Sequence, residues 1–206
     1  MRLILASSSP RRRALLEALG LSFEVIPPDV DEPRQDGLPP GRVVERLALR
    51  KALAVARRLA AGGPPQPEPA WVLGSDTVVV LDGEILGKPA DAAEAAAMLG
   101  RLAGRTHTVY SGIALVPVRP GAGEPPGEGE ARVAHQRTEV HLRALRPGEA
   151  ERYVATGEPM DKAGAYAAQG RGAVLIEWIR GDYTNVVGLP VPLLLEHLAA
   201  LDRGRG

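Results

Sequence analysis

The stretch "LASSSPRRRALLEALG" (Leu5–Gly20) converts an apolar run into a leucine-rich helix within a few residues. Arg2–Ala6 reads as a buried strand. Ser9 stands where a helix N-cap belongs, Pro10 fits the first helical position, and Gly20 closes the helix. A strand that passes through a tight polar turn into a helix is the first half of a βα unit, which points to an α/β fold. The stretch also carries an anomaly. A helix N-terminus has partial positive charge and favours Asp or Glu, yet its first turn here holds Arg11, Arg12 and Arg13.

A helical wheel at about 100° per residue separates the three arginines. Leu15, Leu16 and Leu19 form the apolar stripe, with Arg12 in its middle and Arg11 on one edge. Arg13 falls on the far side near Glu17, as a solvated surface charge would. Arg12 points instead toward the sheet, at the C-terminal end of the first strand, where open α/β sheets bind ligands. An anion held by the helix N-terminus, the serine hydroxyls and Arg12 resolves the conflict, and phosphate is the expected one. Without that anion, the motif is expected to be strained or mobile.

Further along, Ser22–Ile26 reads as a short strand, followed by the acidic loop "PPDVDEP". A long helix covers about Pro40–Ala61, and "GGPPQPEP" is a linker. Trp71–Leu81 is strand-like, and Asp82-Gly83 makes a two-residue hairpin turn returning through Glu84–Lys88. Asp91–Leu102 reads as helix, Thr106–Val118 and Arg132–Leu145 as long strands, and Pro147–Ala155 as a short helix. Ala173–Ile179 reads as a buried strand and Pro190–Leu201 as a closing helix. Mixing βαβ-like units with hairpins predicts an α/β domain with a mixed sheet, one domain over residues 1–206.

Composition narrows the function. The 206 residues carry 25 Lys plus Arg against 25 Asp plus Glu, which disfavours partners recognised through bulk charge such as nucleic acid or a membrane surface. Seven aromatic residues offer little stacking surface for bases. With no cysteine, thiolate catalysis and Cys-ligated metal sites are excluded. The chain opens on a strand rather than a signal peptide, and no apolar run approaches the roughly 20 residues that span a bilayer, so a cytoplasmic protein is expected.

Three more polar features stand out. Val43, Val44, Leu47, Ala54 and Val55 define the apolar face of the long helix, and Lys51 lies within it. Such a lysine either stretches along apolar surface or neutralises a negative group. Arg58 shares the face, near the helix end where water is within reach. In the hairpin, the Asp82-Gly83 turn pairs Leu81 with Glu84 and sets Thr77 opposite Lys88. Asp76 then acts as a strand-end cap, as a salt partner of Lys88, or as part of a site. Loops add Asp29, Asp31, Glu32, Asp161 and Lys162. Several carboxylates with several cations are what a Mg²⁺–polyphosphate site needs. There is no P-loop, no GxGxxG after a strand, no GxSxG elbow and no HExxH. His107, His135, His141 and His197 lack ligand spacing, and Ser111 has no adjacent base.

The ordered motifs "LASSSPRRRALL", "VDE", "LALRKA", "GSDTVVV", "GKP", "GRTHTVYSGIAL", "EPMDKAGAYAAQG" and "GDYTNVVGLP" resemble those of the Maf family, the septum-formation-associated nucleotide pyrophosphatases. The resemblance runs from Met1 to about Leu201. It implies a two-lobed α/β fold with a mixed, bent sheet flanked by helices, similar to the inosine triphosphate pyrophosphatases, with the nucleotide in a cleft between the lobes. It implies a homodimer, a divalent ion (Mg²⁺, or Mn²⁺ in its place) and hydrolysis of a nucleoside triphosphate to the monophosphate and pyrophosphate. Carried over by motif, Ser8, Ser9 and Arg12 hold phosphate oxygens and Glu32 binds the metal. Lys51 and Lys88 neutralise the triphosphate, and Asp76 orients or deprotonates the attacking water while touching the metal. Asp161 and Lys162 complete the site.

Three positions bear on the branch. Relatives of the 7-methyl-GTP type tend to carry an aromatic residue, Gln and Glu where this chain has Arg11, Thr77 and Gln169, and the latter set matches the dTTP/UTP type. An amide such as Gln169 both donates and accepts, which suits a pyrimidine imide edge. A 7-methyl-GTP pyrophosphatase is the runner-up, and a non-catalytic nucleotide-sensing regulator of septum formation is the second alternative.

Overall fold

The computed structural model describes residues 2–31, 37–61, 69–119 and 126–203. Strand β1 (Arg2–Ala6) leads through the serine turn into helix α1 (Pro10–Ala18), and β2 (Phe23–Val25) follows. Helix α2 spans Pro40–Ala60 and precedes the long strand β3 (Ala70–Leu81). Asp82 and Gly83 both take positive φ and turn the chain into β4 (Glu84–Leu86). Then come α3 (Ala92–Leu102), β5 (Thr106–Val118), β6 (Arg132–Leu142), α4 (Glu149–Val154), β7 (Ile176–Arg180), α5 (Tyr183–Val187) and α6 (Val191–Arg203). The sheet runs β2-β1-β3-β5-β6-β7, with β4 paired to β3. β1 is parallel to β2 and β3, whereas β3–β4 and β6–β7 are antiparallel, so the sheet is mixed as expected. No helix among the described residues is long and apolar enough to cross a membrane.

The chain divides into two compact units. The first takes residues 1–76, 111–136 and 188–206, and the second 77–110 and 137–187. In the first unit the strands have helices on both faces, and strand alternation sorts the side chains. Ile4, Val72 and Ala114 pack with Ala48, Ala52 and Val55 of α2. Leu5, Leu73 and Ile113 pack with Leu16 of α1 and with Leu194 and Leu198 of α6. The α2 face is very close. A Cβ on Gly74 would collide with the Ala48 carbonyl oxygen and lie 2.9 Å from the Ala52 nitrogen. One on Gly112 would lie 2.5 Å from the Val44 carbonyl. Only glycine lets the helix backbone rest on β3 and β5 in this way.

The second unit packs α3 and α4 with β3–β7 residues around Val79, Leu81, Leu99, Val140, Tyr153 and Tyr166. His107 is buried there, with Nε2 2.7 Å from the Tyr166 hydroxyl and Nδ1 without a hydrogen-bond partner among the described residues. Burial, helped by the charge of His141, pushes the His107 imidazole down to about 4.

Three expectations are corrected. The β3–β4 ladder pairs Leu81 with Glu84 but ends at Val79–Leu86, so Lys88 leaves the strand before it can face Thr77. The segment expected as a buried strand from Ala173 is a 3₁₀ turn over Gly170–Leu175, and β7 begins only at Ile176, partly exposed. Leu19, placed on the apolar stripe of α1, is the C-cap residue and is 38% exposed. Residues 62–68 of the linker, residues 120–125 of the 119–131 insertion and Glu32 lie outside the described residues.

Two tests follow from this packing. Gly74→Ala should lower unfolding free energy in urea by at least about 2 kcal/mol, because the new methyl meets helix backbone that cannot rotate away. His107 is neutral when folded and takes up a proton more readily when unfolded. Stability should therefore fall as pH drops from about 6.5, its ordinary value, to about 4, by up to about 3 kcal/mol. His107→Gln should flatten that part of the urea-midpoint profile.

Candidate active site

Alternation along β3 sends neighbouring residues to opposite faces. Gly74 and Asp76 share the face that carries α2, and Lys51 lies in the helical turn that Gly74 contacts, between Ala48 and Ala52. The result is a buried ion pair, with Lys51 Nζ 2.6 Å from Asp76 Oδ1. The two side chains are only 8% and 9% exposed. Asp76 therefore pairs with Lys51 rather than with Lys88, and it sits in mid-strand rather than at a strand end. Lys51 does not stretch to water. Removing either partner of such a pair leaves a buried charge uncompensated.

Ser75 faces the other way. Its hydroxyl donates to the Gly188 carbonyl oxygen at 3.1 Å, and Arg12 Nε donates to the same oxygen at 2.7 Å. Arg12 Nη1 also reaches Ser7 Oγ at 3.4 Å. The Ser7 hydroxyl accepts from Ser9 N at 3.1 Å, and Ser9 Oγ caps α1 by accepting from Arg12 N. The serine turn is thus a closed hydrogen-bonded unit with ordinary cap geometry, and the strain expected of it is not seen. Carbonyl and hydroxyl oxygens balance the arginine that the helix dipole disfavours. Arg13 forms an exposed pair with Glu17 at 2.7 Å, as its position on the wheel predicts. Ser8 is exposed, while Arg11 is half-buried. Ser7, Ser75 and the Gly188 carbonyl escaped sequence reasoning. A hint lay in the unbroken "SSS" run, of which only one serine is needed as a cap.

α2 is also fixed at its N-terminal end. Glu45 receives His135 Nδ1 at 2.7 Å and Arg42 Nη1 at 2.5 Å, and the His135 ring packs so near Gly41 that a Cβ there would collide with it. His135 thereby holds the helix that delivers Lys51.

The second unit holds the remaining expected residues. Thr77 follows Asp76 on β3 and is half-buried. Gly164 N donates to the Gly87 carbonyl at 3.0 Å, which joins the "GKP" turn of Lys88 to the "DKAGAY" turn of Asp161 and Lys162. Lys88 is exposed. Lys162 Nζ donates to the Glu158 carbonyl at 2.5 Å and to Asp161 Oδ1 at 2.6 Å. Gln169 is exposed, at the start of the 3₁₀ turn.

Among the described residues, no three His, Asp or Glu side chains gather into a metal-binding group. The donor chemistry nevertheless suits a hard divalent ion. Such ions are commonly held by one or two carboxylates, with substrate phosphates and water completing the shell, and Asp76 is a carboxylate of that kind. Lys51→Met should destabilise the fold by about 3 kcal/mol or more in urea titration, since it strands the Asp76 charge in the interior. Lys51→Met with Asp76→Leu should recover most of that loss.

The chain is similar to known proteins over nearly its whole length. A dTTP/UTP pyrophosphatase of Moorella thermoacetica is 53% identical, over 96% of this chain and 94% of its own. The dTTP/UTP pyrophosphatase of Pelotomaculum thermopropionicum is 51% identical, over 95% and 94%. Among solved structures, the Staphylococcus aureus Ham1 protein shares the fold, with a TM-score of 0.50 at 16% identity over 97% of this chain and 99% of that one. The family model described as Maf-like protein matches residues 2–201, through the serine turn, the Lys51–Asp76 pair and the loops of the second unit alike, and the chain belongs to that family.

Proposed function

We propose that the protein hydrolyses pyrimidine nucleoside triphosphates, dTTP and UTP foremost, to the nucleoside monophosphate and pyrophosphate. The observation that carries this reading is the buried Lys51–Asp76 pair, set by the "GSDTVVV" and "LALRKA" motifs in a chain about half identical to enzymes named dTTP/UTP pyrophosphatase. Asp76 is the general base. It orients a water molecule and accepts its proton as the oxygen attacks the α-phosphorus. The bond from the α-phosphorus to the bridging oxygen breaks, and the electron pair leaves with pyrophosphate. Lys51 offsets the charge of Asp76 and, with Lys88, that of the phosphates. Ser8, Ser9 and Arg12 bind phosphate oxygens, and Asp161 and Lys162 complete the set.

A divalent cation, Mg²⁺ or Mn²⁺, would be held by Asp76 and Glu32 and would neutralise phosphate charge and acidify water when bound. Arg11, Thr77 and Gln169 select the base, with the Gln169 amide matching the donor and acceptor of a pyrimidine imide edge. The working protein is proposed to be a cytoplasmic homodimer that uses this reaction in nucleotide-pool sanitation or division control.

Pyrophosphate release from a panel of nucleotides with Mg²⁺ tests this directly. dTTP and UTP should lead the panel, and fastest cleavage of 7-methyl-GTP would move the chain to the other branch. Asp76→Asn should lower kcat by roughly 10²–10⁴-fold while nucleotide binding persists, the range expected for loss of a general base. Full turnover in that variant would remove Asp76 from the mechanism.

A further inference from the structure

Gln169 stands on a loop whose two ends touch. A Cβ on Gly172 would lie 2.5 Å from the Tyr153 hydroxyl and 2.8 Å from the Ala167 nitrogen, so only glycine lets residues 167 and 172 close. The closure is fastened by two side chains from outside the loop. Ala167 N donates to Tyr153 Oη at 3.1 Å, and Tyr153 Oη donates to Glu158 Oε2 at 2.7 Å. The same carboxylate receives Gly172 N at 2.8 Å on Oε2 and Arg171 N at 3.0 Å on Oε1. Gly170 has φ +65°, and a Cβ there would collide with Glu158 Oε1. Gln169 therefore lies between backbone amides anchored on both sides, with its own side chain exposed. Burial raises the Glu158 pKa, but the hydrogen bonds from Tyr153, Arg171 and Gly172 and the charge of Lys162 outweigh it and hold the carboxyl below its ordinary value.

We infer that Glu158, with Tyr153 as its relay, is the positioning residue of the base-reading loop: its carboxylate closes the Ala167–Gly172 turn and so fixes where the Gln169 amide stands. This rests on the reading of Gln169 as the group that meets the pyrimidine edge. Glu158 acts through Gln169 and is not itself proposed to touch the substrate. It converts one half-buried charge into three backbone and hydroxyl hydrogen bonds, a rigid support of the kind a side chain needs to discriminate between hydrogen-bonding edges.

The test compares UTP and GTP hydrolysis by Glu158→Ala, Gln169→Ala and the double variant. Glu158→Ala should reduce the UTP-to-GTP ratio of kcat/KM roughly ten-fold, mainly through KM for UTP with kcat little changed, as loss of one or two well-placed hydrogen bonds does. Gln169→Ala should show a similar loss, and the double variant no more than either single one. A fully additive double variant, or an unchanged ratio in Glu158→Ala while Gln169→Ala loses it, overturns the positioning role and leaves the base reading standing. An unchanged ratio in Gln169→Ala overturns both. Should Glu158→Ala not fold, Tyr153→Phe carries the same comparison. It removes one donor to Glu158 and the acceptor of Ala167 N, and should lower the ratio in the same direction by a smaller factor. An unchanged ratio there, with Gln169→Ala impaired, overturns the proposal.

Discussion

The first unit depends on how closely α2 lies on the sheet. Gly74 and Gly112 expose bare backbone to the Val44–Ala52 stretch, and no other residue type would leave that space. The distance this saves, about one methyl layer, is what lets a mid-helix lysine reach a mid-strand aspartate. A helix set further out would leave Lys51 and Asp76 each buried without a partner, a state whose cost exceeds the ordinary gain from packing. The two glycines and the ion pair are therefore one feature. Each makes the other tolerable.

The same strand serves two faces by simple alternation. Asp76 belongs to the α2 side, and Ser75 to the side of α1 and α6, where it meets the Gly188 carbonyl together with Arg12. Two adjacent residues of "GSD" thus connect the serine turn, the long helix and the chain entering α6. The "GDYTNVVGLP" segment contributes a backbone oxygen rather than a side chain at this point. That is why its Gly188 carries no signal in a search for titratable groups.

Much of the framework was legible in the sequence because it rests on local rules. The Ser9 cap, Pro10 at the first helical turn, the Asp82-Gly83 hairpin and the wheel positions of Arg12, Arg13 and Lys51 all appear where short-range stereochemistry puts them. Tertiary placement was not legible. Lys51 announced itself as a misplaced cation, but its partner depends on the α2–β3 register that Gly74 sets. Lys88 faces Thr77, and comes within reach of Asp76 as one of its possible partners, only if the ladder that stops at Leu86 is extended. The Ala173–Leu175 run looks like a strand by hydropathy alone. It becomes a 3₁₀ turn because Glu158 takes the Arg171 and Gly172 amides, while Arg143 Nε donates to the Val174 carbonyl at 2.8 Å. The buried Asn185, whose amide bridges the Val109 carbonyl and Thr138, similarly supports α5 where no hydropathy period marks a helix.

The Arg12 guanidinium is held from within the protein, by the Gly188 carbonyl on Nε and by Ser7 on Nη1. Its plane is therefore set before any anion arrives. An arginine on an open surface loses rotamer freedom on binding, of order 1 kcal/mol, and that loss subtracts from affinity. Here the loss is taken when the chain folds, so the side chain is preorganised, and a phosphate bound there as proposed would meet a fork already pointing one way. The serine turn thus acts as a template whose rigidity, rather than its charge alone, sets how an anion would lie against the end of β1.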